Sequence, residues 1–178
     1  MSEPRAKGLS LWVMPEGRVR EGLAALIGGL AARLGTAAFA PHVTLLPGLS
    51  GPESEVLARA RVLATELTPL SLGFSGVDGT GEHFRCLFLR VAPSPALRDA
   101  HARAAHRFGR EPEPSFDPHL SLVYGMLDTG LKVDLKHELG PLAPPSFEGG
   151  CLHVWRTEGR VGEWREVAAL ALGSGADL

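Results

Sequence analysis

Cysteine is scarce in this sequence, with Cys86 and Cys151 as the only two among 178 residues. They form no Cys-x-x-Cys pair, so neither a disulfide framework nor a zinc knuckle is indicated, and we interpret both as small buried side chains. Long apolar runs are also missing, because Arg, Glu, Gly or Pro interrupts each one before the roughly 20 residues that a membrane span requires. These absences argue against a disulfide scaffold and against a membrane protein.

A strong excess of either charge is missing as well. The chain carries 18 Lys and Arg against 20 Asp and Glu, a formal net charge of −2. That balance argues against a long nucleic acid held through many phosphates, whereas a few local donors suffice for one or two phosphates. The apolar run that follows residues 1–8 is too short for a signal peptide. We therefore expect a cytoplasmic monomer without a membrane partner.

The apolar patterns alternate between strand and helix along the chain. Strands are predicted near residues 10–14, 39–46, 70–77, 84–91, 118–124, 151–156 and 164–172. Helices are predicted near residues 19–34, 52–67, 95–108 and 131–139, the third of them opened by Ser94-Pro95 as a cap followed by proline. Residues 141–145 are a proline-rich loop.

The two halves of the chain repeat the order strand, helix, strand. A helix layer on a sheet, repeated once, would bury the apolar faces of both sheets. The sequence therefore predicts one domain over residues 1–178 with an α+β (α/β-like) fold. Its two pseudo-symmetric lobes each consist of a small antiparallel sheet with helices outside, and a cleft lies between them.

The pattern Pro-His-apolar-hydroxyl-Leu occurs twice, at residues 41–45 and 118–122. Residues two apart in a strand point to the same face, so His42 shares a face with Thr44, and His119 shares one with Ser121. If the lobes face each other, these four side chains line one cleft. One such pattern alone is weak evidence for function, but two matched copies in matched halves favour a shared catalytic role.

Two imidazoles and two hydroxyls suit the hydrolysis of a phosphodiester. One histidine takes the proton of the attacking water and the other protonates the leaving oxygen, since histidine's pKa of about 6.5 allows either role near neutrality. Thr44 and Ser121 would donate hydrogen bonds to the non-bridging oxygens, where charge grows in the transition state.

Other chemistries fit less well. Zinc needs three or four protein ligands, and the hydroxyls beside the histidines are poor ones, so we expect no metal and no other cofactor. A serine hydrolase lacks its Gly-x-Ser-x-Gly pattern. The remaining histidines show no paired pattern, and surface or interface positions are expected for His83, His101, His106, His137 and His153.

A substrate that carries a nucleobase would need an aromatic wall. The candidates are Trp12 on the first strand, Phe84 at the start of a strand and Tyr124 just after the second motif. For Trp12 and Phe84, a place in the core is as well supported as a place in the cleft. Tyr124 is better placed, because it lies near the strand end where a cleft would open.

Over nearly its whole length, the chain resembles the two-histidine phosphoesterase superfamily, whose signature is a pair of His-x-Thr/Ser motifs in duplicated lobes. Residues 11–15 and 39–44 are similar to those of the cyclic phosphodiesterases of plants and yeast. The resemblance implies hydrolysis of ADP-ribose 1″,2″-cyclic phosphate to the 1″-phosphate and of nucleoside 2′,3′-cyclic phosphates to 2′-phosphates. It places His42, Thr44, His119 and Ser121 at the catalytic positions and Trp12, Phe84 and Tyr124 on the ligand side.

Two alternatives stay open. The bacterial RNA 2′,5′-ligase-like branch shares both motifs, and its substrate would be an RNA end. A nucleotide-binding module of the same fold would not require an acid and a base, so the presence of both histidines argues against it. The resemblance leads us to assign His119 as base and His42 as acid, although the two motifs are alike enough to exchange roles.

Overall fold

Residues 4–173, which a computed structural model describes, form eight strands and four α-helices. Their bounds are β1 (Leu9–Val13), α1 (Gly17–Leu34), β2 (Val43–Leu49), α2 (Glu53–Glu66), β3 (Leu70–Asp78), β4 (Leu87–Val91), α3 (Pro95–Arg107), β5 (His119–Val123), α4 (Thr129–Leu139), β6 (Ser146–Gly149), β7 (Cys151–Arg156) and β8 (Arg165–Ala171). In this part of the chain, no helix is both long enough and apolar enough to cross a membrane.

The strands form one antiparallel sheet in the order β6-β3-β4-β5-β2-β1-β7-β8. The predicted α+β class is confirmed. The predicted small sheets correspond to the two four-stranded halves, β6-β3-β4-β5 and β2-β1-β7-β8. They are joined edge to edge where Val43 of β2 pairs with Leu120 of β5. The two Pro-His motifs therefore lie at adjacent central strands of one sheet.

The helices tie the two halves together. Helix α1, which connects β1 to β2, packs on β5 of the other half, and α3, which connects β4 to β5, packs on β2. The apolar residues of β2 and β5 that face these helices, Val43 and Leu120, are fully buried. Because the helices cover this face, the opposite face of the two central strands carries the polar side chains.

The structure differs from the sequence prediction in several places. Cys86 is buried as expected, but Cys151 is only partly buried. Strand β6 was not predicted, because four residues after a proline-rich loop give too little alternation to recognise, and β6 exists through its pairing with β3. Phe84 does not begin a strand, since residues His83–Arg85 form a single 3₁₀ turn and β4 starts at Leu87.

Candidate active site

The register between β2 and β5 brings the two motifs together. These strands run antiparallel with Val43 opposite Leu120. The residues immediately before and after this pair have their side chains on the other face of the sheet, which is the polar face. Each histidine then lies across from the hydroxyl of the other motif, with His42 opposite Ser121 and His119 opposite Thr44.

His42 lies in a closed, aromatic environment and is only 5% exposed. Its ring stacks on Trp12 with centroids 3.5 Å apart and planes inclined by 7°. Nδ1 donates to the carbonyl oxygen of Ala40 at 2.7 Å, which leaves Nε2 to face the Tyr124 hydroxyl at 3.4 Å. The pKa of His42 is lowered to about 4, mainly by burial; the bond to the Ala40 carbonyl opposes this decrease and the nearby His119 adds to it.

His119 is half-buried and lies beside charged groups. Nδ1 donates to the carbonyl oxygen of Asp117 at 3.1 Å, and the Phe88 ring lies 5.0 Å away between centroids. Arg85 rests over that Phe88 ring at 4.9 Å and forms an ion pair with the Asp117 carboxylate. Burial lowers the pKa of His119, Arg85 adds to the decrease, and the Asp117 and Glu82 carboxylates oppose it.

Both imidazoles are held in the same way. In each motif Nδ1 bonds to the carbonyl of the residue two positions earlier, Ala40 for His42 and Asp117 for His119. A carbonyl only accepts, so Nδ1 carries the proton and Nε2 is the atom free for chemistry in both rings. The two motif histidines therefore have the same tautomer.

The two hydroxyls have different surroundings. Ser121 is buried and donates to the carbonyl oxygen of Phe84 at 3.0 Å. Thr44 is half-buried and borders two adjacent cavities. Thr44 can therefore meet a ligand directly, whereas Ser121 must first rotate its hydroxyl away from Phe84.

The first of these two cavities has a volume of about 270 Å³ and is called the aromatic cavity here. Its walls bring together all three aromatic residues predicted from the sequence, together with His42 and Thr44: Trp12, Phe84 and Tyr124. Trp164 also lines this cavity and was missed. Trp164 lies just before β8, which is two strands away from β1 in the sheet. This order of strands cannot be read from the sequence.

The second cavity, of about 260 Å³, is called the polar cavity here. Besides His119 and Thr44 it is lined by Arg85 and by the carboxylates of Glu82, Glu113 and Asp117. Arg85 was not predicted from sequence, because no motif marks it and it reaches His119 through the pairing of β4 with β5. The larger apolar cavity of about 460 Å³, between α1 and Leu142, contains none of the predicted residues.

Two of the remaining histidines are buried, contrary to the expectation of surface positions. His101 bonds through Nδ1 to the Leu45 carbonyl oxygen at 2.9 Å and accepts at Nε2 from the Glu113 amide at 3.0 Å. His153 bonds through Nδ1 to the Glu166 carboxylate at 2.8 Å. His101 therefore fastens the loop that follows α3 to β2, a role that sequence periodicity does not reveal.

No group of three or more His, Cys, Asp or Glu residues in the 4–173 range is arranged to hold a metal ion. The arrangement around the two histidines thus consists of proton-transfer groups, hydroxyl donors and aromatic walls.

Comparison with known proteins identifies a family and a shared fold. Residues 24–161 match the model of the 2′-5′ RNA ligase superfamily. No curated protein matches the chain in sequence. Among solved structures, Escherichia coli LigT complexed with 3′-AMP is 16% identical, with a TM-score of 0.60 over 96% of this chain and 99% of LigT. A structure described as a phosphoesterase is 14% identical, with a TM-score of 0.58 over 94% of this chain and 98% of the other.

Proposed function

The chain belongs to the 2′-5′ RNA ligase superfamily, and from this premise we propose that it is a metal-independent cyclic phosphodiesterase. The membership confirms the resemblance to two-histidine phosphoesterases seen in the paired motifs. It supports a phosphoesterase in general terms. The proposed substrates are small cyclic phosphates, namely nucleoside 2′,3′-cyclic phosphates and ADP-ribose 1″,2″-cyclic phosphate.

One observation carries the proposal: both motif histidines are anchored through Nδ1 to a backbone carbonyl, beside two hydroxyls and two cavities. His101, by contrast, uses both of its nitrogens to hold backbone groups, and His153, which also has a free Nε2 within the described residues, lacks a neighbouring His-x-hydroxyl motif. The bond to the Ala40 carbonyl leaves Nε2 of His42 with only the 3.4 Å contact to the Tyr124 hydroxyl. Two imidazoles with free Nε2 atoms can accept one proton from an attacking water and donate another to a leaving oxygen.

The reaction follows from this pairing. With the phosphorus between the two rings, one Nε2 takes the proton of a water as its oxygen attacks. The other Nε2 gives a proton to the ring oxygen of the cyclic phosphate as its bond to phosphorus breaks. Thr44 donates to a non-bridging oxygen, and Ser121 does so after releasing the Phe84 carbonyl.

The order of ionisation supports specific roles. At neutral pH His42, with a pKa of about 4, is neutral and able to accept a proton. The pKa of His119 is also lowered by burial, but the Glu82 and Asp117 carboxylates work against that decrease. We therefore propose His42 as base and His119 as acid, the reverse of the assignment made from the resemblance.

The aromatic cavity is the proposed site of the nucleoside. Trp12 is already stacked on His42, and Tyr124 on Phe39 with centroids 3.8 Å apart. Phe84 and Trp164 are tilted to each other with centroids 6.0 Å apart and meet Tyr124 edge-on, so a face of either ring can contact a base. Aromatic stacking is tolerant of base identity. We expect broad acceptance of the four nucleobases.

The test is product analysis on a panel of cyclic phosphates by phosphorus NMR. The panel contains the four nucleoside 2′,3′-cyclic phosphates, ADP-ribose 1″,2″-cyclic phosphate and, as a mismatched control, a 3′,5′-cyclic nucleotide. We expect hydrolysis of the first two classes, with nucleoside 2′-phosphates as products. Predominant 3′-phosphates would contradict the plant and yeast type of activity.

The same panel separates the alternatives. Joining of a 5′-hydroxyl oligonucleotide to a 2′,3′-cyclic end, with little hydrolysis, would favour the ligase-like branch. Binding of nucleotides without turnover of any cyclic phosphate would favour a binding module.

A further inference from the structure

Two segments that are far apart in sequence close one side of the aromatic cavity. Ala6 and Gly159 exchange backbone hydrogen bonds of 3.1 Å. The amide of Thr157 donates to the Gly8 carbonyl at 3.0 Å, and the Thr157 hydroxyl lies 2.9 Å from that of Ser10. Ala6 and Thr157 line the cavity themselves. The segment before β1 is therefore a fixed part of the wall.

Lys7 is the cationic residue that this wall contributes to the aromatic cavity. Gly8, with φ of 70°, approaches β2 so closely that a Cβ there would lie 2.2 Å from the Leu49 carbonyl oxygen. This contact places Lys7 beside the end of β2. Lys7 is exposed and, within the described residues, takes part in no ion pair, whereas the nearby Arg5 faces Glu163 at 3.8 Å.

Arg110 borders the same end of β2 from the other side. Its Nη1 donates to the Pro47 carbonyl oxygen at 2.6 Å, and Pro47 lines both cavities. Arg110 is exposed and likewise has no carboxylate partner in the 4–173 range. Pro47 lies three residues from Thr44, about 10 Å along an extended strand. Lys7 and Arg110 therefore both border the end of β2 that leads away from Thr44.

The polar cavity has the opposite character. Its three carboxylates, from Glu82, Glu113 and Asp117, outnumber Arg85. An anionic extension of the substrate would be repelled there and attracted towards Lys7 and Arg110. The charge pattern thus gives the bound substrate a direction along β2.

We propose that Lys7 and Arg110 bind a second phosphate, located on the 5′ side of the nucleoside whose cyclic phosphate lies between His42 and His119. This inference rests on the proposed function and extends it from a site to a substrate class. Such a phosphate is present at the 3′ end of an RNA chain and in a nucleotide that carries a 5′-phosphate.

The test compares kcat/KM for three substrates: adenosine 2′,3′-cyclic phosphate, the same compound with a 5′-phosphate, and a dinucleotide ending in a 2′,3′-cyclic phosphate. For wild-type protein we expect the 5′-side phosphate to raise kcat/KM roughly tenfold, as suits a charge-assisted hydrogen bond. The ratio should approach one in Lys7→Gln and in Arg110→Gln, and should fall in wild-type protein at high salt. Arg5→Gln, two residues from Lys7, is the matched control and should retain the wild-type ratio.

A preference for the dinucleotide assigns the phosphate to an RNA end, and a preference for the 5′-monophosphate assigns it to a free nucleotide; each supports the proposal. Equal kcat/KM for all three substrates would overturn it while leaving the proposed function intact. If no cyclic phosphate is hydrolysed, calorimetric binding of adenosine 2′,5′-bisphosphate and adenosine 2′-phosphate decides the matter. Tighter binding of the bisphosphate that depends on Lys7 supports the inference, and equal binding overturns it.

Discussion

Val43 of β2 pairs with Leu120 of β5, and both side chains are completely buried beneath α1 and α3. Within residues 4–173 this is the registered pair that joins the two halves of the sheet. A shift by one residue would turn the histidine of one motif towards the core. The apolar residue between histidine and hydroxyl therefore sets the alignment of the two motifs.

Truncation of this contact should affect stability and activity together. Leu120→Ala removes buried methyl groups from a fully packed position, so we expect the free energy of unfolding to fall by about 2–5 kcal/mol. Urea unfolding measures the loss, and activity is assayed under conditions where the variant stays folded. Leu142→Ala, at a site that is 60% exposed, is the control and should change the free energy by less than about 0.5 kcal/mol. A loss of similar size in both variants would contradict the role of Leu120.

The local parts of this fold were predictable from sequence. Most helices and strands follow apolar periodicity, and the two motifs identify His42 and His119 because residues two apart in a strand share a face. The grouping of Trp12, Phe84 and Tyr124 around His42 agrees with the aromatic wall expected from sequence.

The non-local parts were not predictable. Periodicity tells which face a residue occupies but not which strand lies beside it. Trp164, just before β8, reaches the site through the pairing of β8 with β7 and of β7 with β1. Arg85, just before β4, reaches it through the pairing of β4 with β5. Likewise His101 is buried because its ring bonds to backbone groups of two distant segments.

Removal of metal ions should leave the reaction unchanged. The proposed chemistry uses two imidazoles and two hydroxyls, and hydroxyls are poor ligands for zinc. We expect the rate of hydrolysis of a 2′,3′-cyclic nucleotide after dialysis against EDTA to equal that of untreated protein. A rate that falls with EDTA and returns with zinc or manganese would show that a metal takes part.

Loss of either motif histidine should reduce turnover far more than loss of a hydroxyl. General acid and base groups contribute about 10²–10⁴-fold to turnover, so we expect decreases of that size in His42→Ala and His119→Ala. Thr44→Ala and Ser121→Ala each remove one of several donors and should cost less. His106→Ala, at an exposed position on α3, is the matched control. Near-normal kcat in either catalytic variant, with an unchanged circular dichroism spectrum, would contradict the paired mechanism.

The pH dependence should be bell-shaped with an acidic optimum. As pH rises through about 4, His42 loses its proton and becomes able to act as base, so kcat/KM increases. Above the pKa of His119, which burial holds below the usual value of 6.5, the acid is lost and kcat/KM falls. The maximum therefore lies between about 4 and 6.5, measured on protein shown to be folded at each pH. An optimum above pH 8 would contradict these ionisations.

The pH profile cannot assign the two roles, because exchange of base and acid between His42 and His119 gives the same bell. A substrate whose leaving group needs no protonation can distinguish the base from the acid. Sulfur in place of the 3′ oxygen leaves as a thiolate, so the variant that lacks the acid should recover activity on this substrate while the variant that lacks the base should not. With His119 as acid, we expect His119→Ala to lose much less activity on the 3′-thio cyclic phosphate than on the normal substrate, and His42→Ala to lose about as much on both. Selective recovery of His42→Ala would restore the assignment made from the resemblance, with His119 as base. Equal recovery of both variants would mean that neither histidine acts as a dedicated acid.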